Sequence, residues 1–177
     1  GFELAGLRIE LAGPQGAEAP RLRLTIDRVR VAGSDFHALV WECELLREDG
    51  SPRCAGPLRW RGGARGTLGL VRGDGWQLRW RGADRRVDAR IDAALEAVSV
   101  AWRQLPLSVL DAWIAPALPH GVSVTAGTFS GEWEGDSRMS DWRGESRFEA
   151  VALDSVDGLT AAAGVRGLLR LRGRGGN

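Results

Sequence analysis

Apolar and charged residues alternate along nearly the whole chain. The beat is plain in Leu7-Arg8-Ile9-Glu10-Leu11, Arg21-Leu22-Arg23-Leu24-Thr25-Ile26, Trp76-Gln77-Leu78-Arg79-Trp80 and Val87-Asp88-Ala89-Arg90-Ile91-Asp92. Successive side chains of a strand point to opposite faces, so each run predicts a ribbon with one apolar and one charged side. The pattern predicts strands over 2–12, 21–32, 36–46, 55–61, 66–72, 75–81, 86–92, 95–102, 122–134, 142–154 and 165–172. Turn residues mark the junctions, as at Gly13-Pro14, Gly33-Ser34, Gly62-Gly63, Gly73-Asp74-Gly75, Gly135-Asp136 and Gly158. Turns at intervals of about 8–12 residues predict an all-β fold. The form expected is a curved, antiparallel-rich sheet, either an open groove or a half-open sandwich. Within 21–32 the apolar positions change parity between Ile26 and Val29, which predicts a bulge near Asp27-Arg28.

One segment departs from this period. From Leu105 to Ala115 apolar residues stand three and four apart, Pro106 suits a first helical turn, and Pro116 and Pro119 end it. The expectation is one short helix near 106–115 with Leu107, Leu110 and Ile114 on its buried stripe. It divides a single β-rich domain over 1–172 into a longer array (1–104) and a shorter one (121–172), joined by 105–116. Residues 173–177 read as a flexible tail. The start at Gly1 and this Gly/Arg-rich end suggest a segment of a longer protein.

Composition adds limits. The 177 residues suffice for a sizeable core. Basic and acidic side chains number 24 and 23, for a net charge of +1. Such a balance gives no long-range attraction towards nucleic acid. Every basic side chain is Arg, and Lys and Tyr are absent, a bias of GC-rich coding rather than of mechanism. No apolar run approaches the roughly 18 residues that would span a membrane as a helix. Cys43 and Cys54 flank a polar stretch carrying Asp49-Gly50, a strong hairpin signal. Cysteines on either side of a hairpin tip face each other, which predicts a disulfide and a non-reducing compartment. Two buried free thiols are the alternative. Neither His37 nor His120 stands at ligand spacing from them, so no metal site is expected, nor any cofactor.

Catalytic patterns are weak. The serines lack a Gly-x-Ser-x-Gly context, and only two histidines could serve as a base. Glu42 with Glu44 and Glu132 with Glu134 sit at strand spacing on what reads as a solvent face, not in a cleft. The chain therefore reads as a non-enzyme. Arg59-Trp60-Arg61 and Leu78-Arg79-Trp80-Arg81 superficially match a basic-aromatic nucleic-acid surface. On a strand, however, Trp and its flanking Arg residues project to opposite faces, so no joint surface forms.

The eight tryptophans are the most loaded residues left. Trp41, Trp60, Trp76, Trp80 and Trp102 fall on the apolar parity of their strands. They either pack the core of a closed sandwich or line an open trough that holds acyl chains. Residue chemistry leaves both open. The inner-wall candidates are Leu22, Leu24, Ile26, Leu39, Trp41, Leu68, Leu70, Trp76, Leu78, Trp80, Val98, Val100 and Trp102.

Trp102-Arg103-Gln104-Leu105-Pro106-Leu107, then Pro119-His120-Gly121-Val122, then Gly127-Thr128-Phe129-Ser130-Gly131-Glu132-Trp133-Glu134-Gly135 resembles the AsmA-like bacterial proteins, the family of TamB- and YdbH-type periplasmic proteins. Trp142-Arg143-Gly144 and Asp157-Gly158-Leu159 continue in the same style, so the resemblance covers 100–172 best. It implies a periplasmic β-groove, anchored in the inner membrane by a segment outside this chain, that conducts phospholipids between inner and outer membranes. Partners would be phospholipid acyl chains, with other cell-envelope proteins able to dock on an edge strand. Type II secretion protein N shares the architecture and implies an assembly role instead.

Overall fold

A computed structural model of the chain describes residues 2–13, 19–31, 34–48, 50–61, 66–110, 114–138, 140–158 and 161–174. Several sequence readings lie outside the described residues: Pro14, the strand end at Ala32, Gly33, Asp49, Gly62 and Gly63, the helix centre 111–113, Leu159, Thr160 and the tail 175–177.

The alternating runs form twelve strands: β1 (Phe2–Ala5), β2 (Arg8–Ala12), β3 (Arg21–Val31), β4 (Ser34–Glu48), β5 (Ser51–Arg59), β6 (Gly66–Arg72), β7 (Gly75–Arg81), β8 (Arg86–Asp92), β9 (Ala97–Pro106), β10 (Val122–Asp136), β11 (Asp141–Ser155) and β12 (Ala161–Arg174). They make one antiparallel sheet in the order β1-β3-β4-β5-β6-β7-β8-β9-β10-β11-β12, in which sequence neighbours pair from β2 onward and β1 joins β2 on β3. The sheet is an all-β meander and it is open, its edges formed by β1 and β2 on one side and β12 on the other. Short polar turns between amphipathic ribbons favour such nearest-neighbour pairing. No second layer covers the sheet among the described residues, so the closed sandwich does not form.

The short helical segment expected near 106–115 begins after β9, which runs through Pro106: 3-10 turns lie at Leu107–Leu110 and Ala115–Ala117, Ile114 has helical backbone angles, and 111–113 lie outside the described residues. Of the expected stripe, Leu107 is buried, packed beside Gly127 of β10, while Leu110 and Ile114 are half-buried. Two other expectations need correction. Residues 173 and 174 belong to β12 rather than to a flexible tail.

The bulge expected at Asp27-Arg28 is not a register shift in β3, because Leu22↔Cys43 and Arg28↔His37 keep one register. The irregularity falls on its neighbours. Ala38 of β4 has φ 51°, and Gly6, which splits the predicted 2–12 strand into β1 and β2, has φ 68° and lies against the Asp27 side chain. The far side is creased at the same level, by Gly127 (φ 132°), Ala150 (φ 52°) and Gly164 (φ 70°), with register shifts in β10, β11 and β12. The short central strands β5–β8 stop before this level, so only the long outer strands need to bend there.

Candidate functional site

The register sorts the side chains into two faces. One row runs Leu45–Cys54–Leu70–Leu78–Ala89–Val100–Trp133–Gly144–Leu171 across nine strands. The adjacent row on that face includes Leu11–Leu22–Cys43 and Leu68–Trp80–Val87–Trp102–Gly131–Ser146–Leu169. Ile9–Leu24–Trp41–Leu58 and Trp76–Ile91–Val98–Gly135–Trp142 complete it. All the inner-wall candidates named from sequence share this face, since Ile26 pairs with Leu39 two residues from Leu24 and Trp41. Sequence reading omitted Ile9, Leu11, Leu45, Leu58, Trp133, Trp142, Leu169 and Leu171, which the same parity would have supplied.

Burial along this face is uneven. Trp41, at 6% exposure, forms a small hub with Cys43 and Cys54, packed by Leu22, Leu24, Leu45, Leu58, Leu68 and Leu70. The Trp41 indole N–H donates to the Leu68 carbonyl at 3.0 Å, so the ring spans β5 to reach β6. Cys43 and Cys54 form a disulfide with Cα atoms 5.5 Å apart, placed diagonally on the apolar face beside that ring. The bond agrees with a non-reducing compartment. Away from the hub Phe129 and Leu107 are also buried and most of the face is half-buried, while Leu78 is 37% exposed, Ile9 63% and Leu171 50%.

The glycine rhythm acquires a physical reason here. Trp102 lies opposite Gly131, and Trp142 opposite both Gly135 and Gly173. A Cβ on Gly131 would meet the Trp102 ring at 2.9 Å, and Trp142 ring atoms crowd the Gly173 position. Gly127 likewise accommodates Leu107. The indoles therefore fold down over glycines of adjacent strands and pave the surface, a form of aromatic cover for strand glycines. The aromatic chain continues through Phe129, 5.9 Å from Trp102, to Phe148 at 6.2 Å. The indole N–H groups of Trp80 and Trp102 are buried without hydrogen-bond partners among the described residues, which costs about 1–3 kcal/mol each.

The opposite face is charged. Cross-strand pairs Arg21–Glu44 (3.8 Å), Arg23–Glu42 (3.3 Å), Arg79–Asp88 (3.7 Å), Arg143–Glu134 and Arg170–Glu145 (2.9 Å) lie along it, with Arg86–Asp88 within β8. The hydrogen bond from Arg170 holds the Glu145 carboxyl below its ordinary range, with Arg147 adding to the effect. Each pair is exposed and contributes little singly. Three open depressions of about 730, 600 and 460 Å³ lie over β7–β12, lined mainly by these charged residues. The apolar side is thus an uncovered surface, while these hollows belong to the polar side.

His37, opposite Arg28 in β4, and His120, in the turn before β10, occupy separate elements. No group of three His, Cys, Asp or Glu poised for a metal occurs among the described residues. No helix of the described residues is long and apolar enough to cross a membrane. The fold and its two faces define an open, single-layer antiparallel β-sheet protein. Comparison with protein families, curated proteins and solved structures finds no match.

Proposed function

We propose that this chain is a lipid-binding, lipid-conducting β segment of the bacterial periplasm, of the kind its resemblance to AsmA-like proteins implies. The reading is carried by one observation: an apolar face of leucines and flattened indoles spans the sheet and has no second layer over it. A soluble protein rarely leaves so long an apolar strip bare without a use for it. Acyl chains lying along the rows would bury that strip, while headgroups stay at its wet margin. Paving by rings over glycines removes the pits in which a chain end would lodge, which suits sliding more than fixed binding. The disulfide supports an extracytoplasmic site for this work. In the AsmA-like arrangement the inner-membrane anchor and the phospholipid traffic belong to the longer assembly.

A second reading has its own support. β12 presents an exposed 14-residue edge with free backbone groups, to which a protein strand could add. That favours a structural component of a secretion machine, acting through protein contacts as type II secretion protein N does.

Native mass spectrometry of the exported, oxidised chain separates the two. The lipid reading expects co-purifying phospholipid in the wild type and a large loss with Leu78→Asp, a substitution on the exposed part of the face. Equal lipid in both, or a clean apo mass for the wild type, removes it, and the apo mass turns attention to the β12 edge.

A further inference from the structure

On the charged face, opposed residues mostly carry opposite signs. One row does the reverse. Arg81 stands directly opposite Arg86, and Arg86 directly opposite Arg103, so three guanidinium groups occupy successive strands β7, β8 and β9. Directly opposed side chains have Cβ atoms roughly 5 Å apart, where like charges destabilise a sheet. Asp88 takes Arg86 through two hydrogen bonds. Arg81 and Arg103 have no carboxylate partner among the described residues. Two other like-charged oppositions occur, Glu132 with Glu145 and Arg143 with Arg172, but both are single pairs with one member already bonded to the opposite sign.

Two members of the row, Arg86 and Arg103, line the depression of about 460 Å³ together with Ser130 of β10 and Arg147 of β11. Asp88, Glu132 and Glu145 line the same hollow. Asp88 and Glu145 are engaged by arginines, while Arg103 in the hollow and Arg81 beyond its margin have no carboxylate of their own among the described residues. A planar fork of N–H donors matches the oxygens of a phosphate group, and two forks on alternate strands can hold one such group between them.

We propose that the Arg81–Arg86–Arg103 row is a binding site for a phosphate group, either free phosphate or the phosphate of an anionic lipid headgroup. The site lies on the face opposite the apolar strip and does not rest on the lipid reading. A bound dianion would turn a repulsive row into a bridged one.

The test uses the oxidised 177-residue chain and three probes at constant ionic strength: inorganic phosphate, phosphatidylglycerol vesicles and phosphatidylcholine vesicles. Arg81→Gln/Arg103→Gln removes the unpaired pair. Arg21→Gln/Arg23→Gln removes the same charge from ion-paired positions and serves as control. Binding should weaken about tenfold or more in the first variant and change less than about twofold in the control, as loss of two charge-assisted contacts requires. In phosphate-free buffer the first variant should melt no lower than wild type, because a repulsion has been relieved. A response to inorganic phosphate assigns the free anion, and a response to vesicles alone assigns the headgroup. The proposal is overturned if wild type binds none of the probes, if both variants weaken alike, or if Arg81→Gln/Arg103→Gln melts lower or fails to fold.

Discussion

The hub on β3–β6 and the rim at β12 are made from the same alternating pattern, yet they hold together differently. At the hub, Trp41, Cys43 and Cys54 are buried under leucines from β3 to β6 and stapled by a disulfide. At the rim, every described residue of β12 but one is exposed, and Val165, Leu168, Leu169 and Leu171 stand in the open. Periodicity decides which way a side chain points. Whether it is then covered depends on neighbours on both sides and on a ring large enough to reach across a strand. A rim strand has one neighbour, so its apolar residues stay half bare whatever their parity.

The sharpest way to break the contrast is truncation of a large side chain at each place. Trp41→Ala should cost about 3–5 kcal/mol, as large core deletions do, whereas Leu171→Ala should cost about 1 kcal/mol, in keeping with its partial burial. Urea unfolding of the two variants checks this, and similar costs would mean that the hub is no hub. Reduction of Cys43–Cys54, or its replacement by alanines, should cost about 3 kcal/mol through the freedom regained by the unfolded chain. Hydrogen exchange should then rise first in β4–β6 and leave the already labile β12 unchanged.

The smallest effect lies on β3 and β4 at the end away from Trp41. Asp35 accepts two hydrogen bonds from Arg28, at 2.7 and 2.6 Å, and this lowers its pKa to about 2, helped by the Arg30 charge. A lowered folded-state pKa means the pair stabilises above the ordinary carboxylate range and that this contribution is lost as pH falls towards 2. Asp35→Asn should therefore be less stable than wild type near neutral pH and converge with it by about pH 2. Parallel curves across that range would show that the pair contributes nothing.

Most of the fold was legible because nearly every strand repeats a two-residue period and ends at a turn residue. Even the shared face of Leu22, Leu78 and Val100 follows from parity alone. The helical character of 105–116 was legible in its apolar spacing, whereas the run of β9 through Pro106 and the tight 3-10 form of the turns were not. The crease was misplaced because parity locates a break without saying which strand carries it: Asp27 keeps register, and Ala38 and Gly6 absorb the strain. The ring-over-glycine pairs and the Arg81–Arg86–Arg103 row were invisible for a different reason. Both arise between strands, and only the register reveals which residues meet.

Leaving one side of the sheet uncovered also shapes the thermal behaviour of the molecule. Unfolding here newly wets less hydrocarbon than in a sealed two-layer domain of equal length, so its heat-capacity increment should fall below the usual ~12–15 cal/mol/K per residue. A small increment flattens the dependence of stability on temperature, so the protein would soften gradually on either side of its optimum rather than along a steep dome.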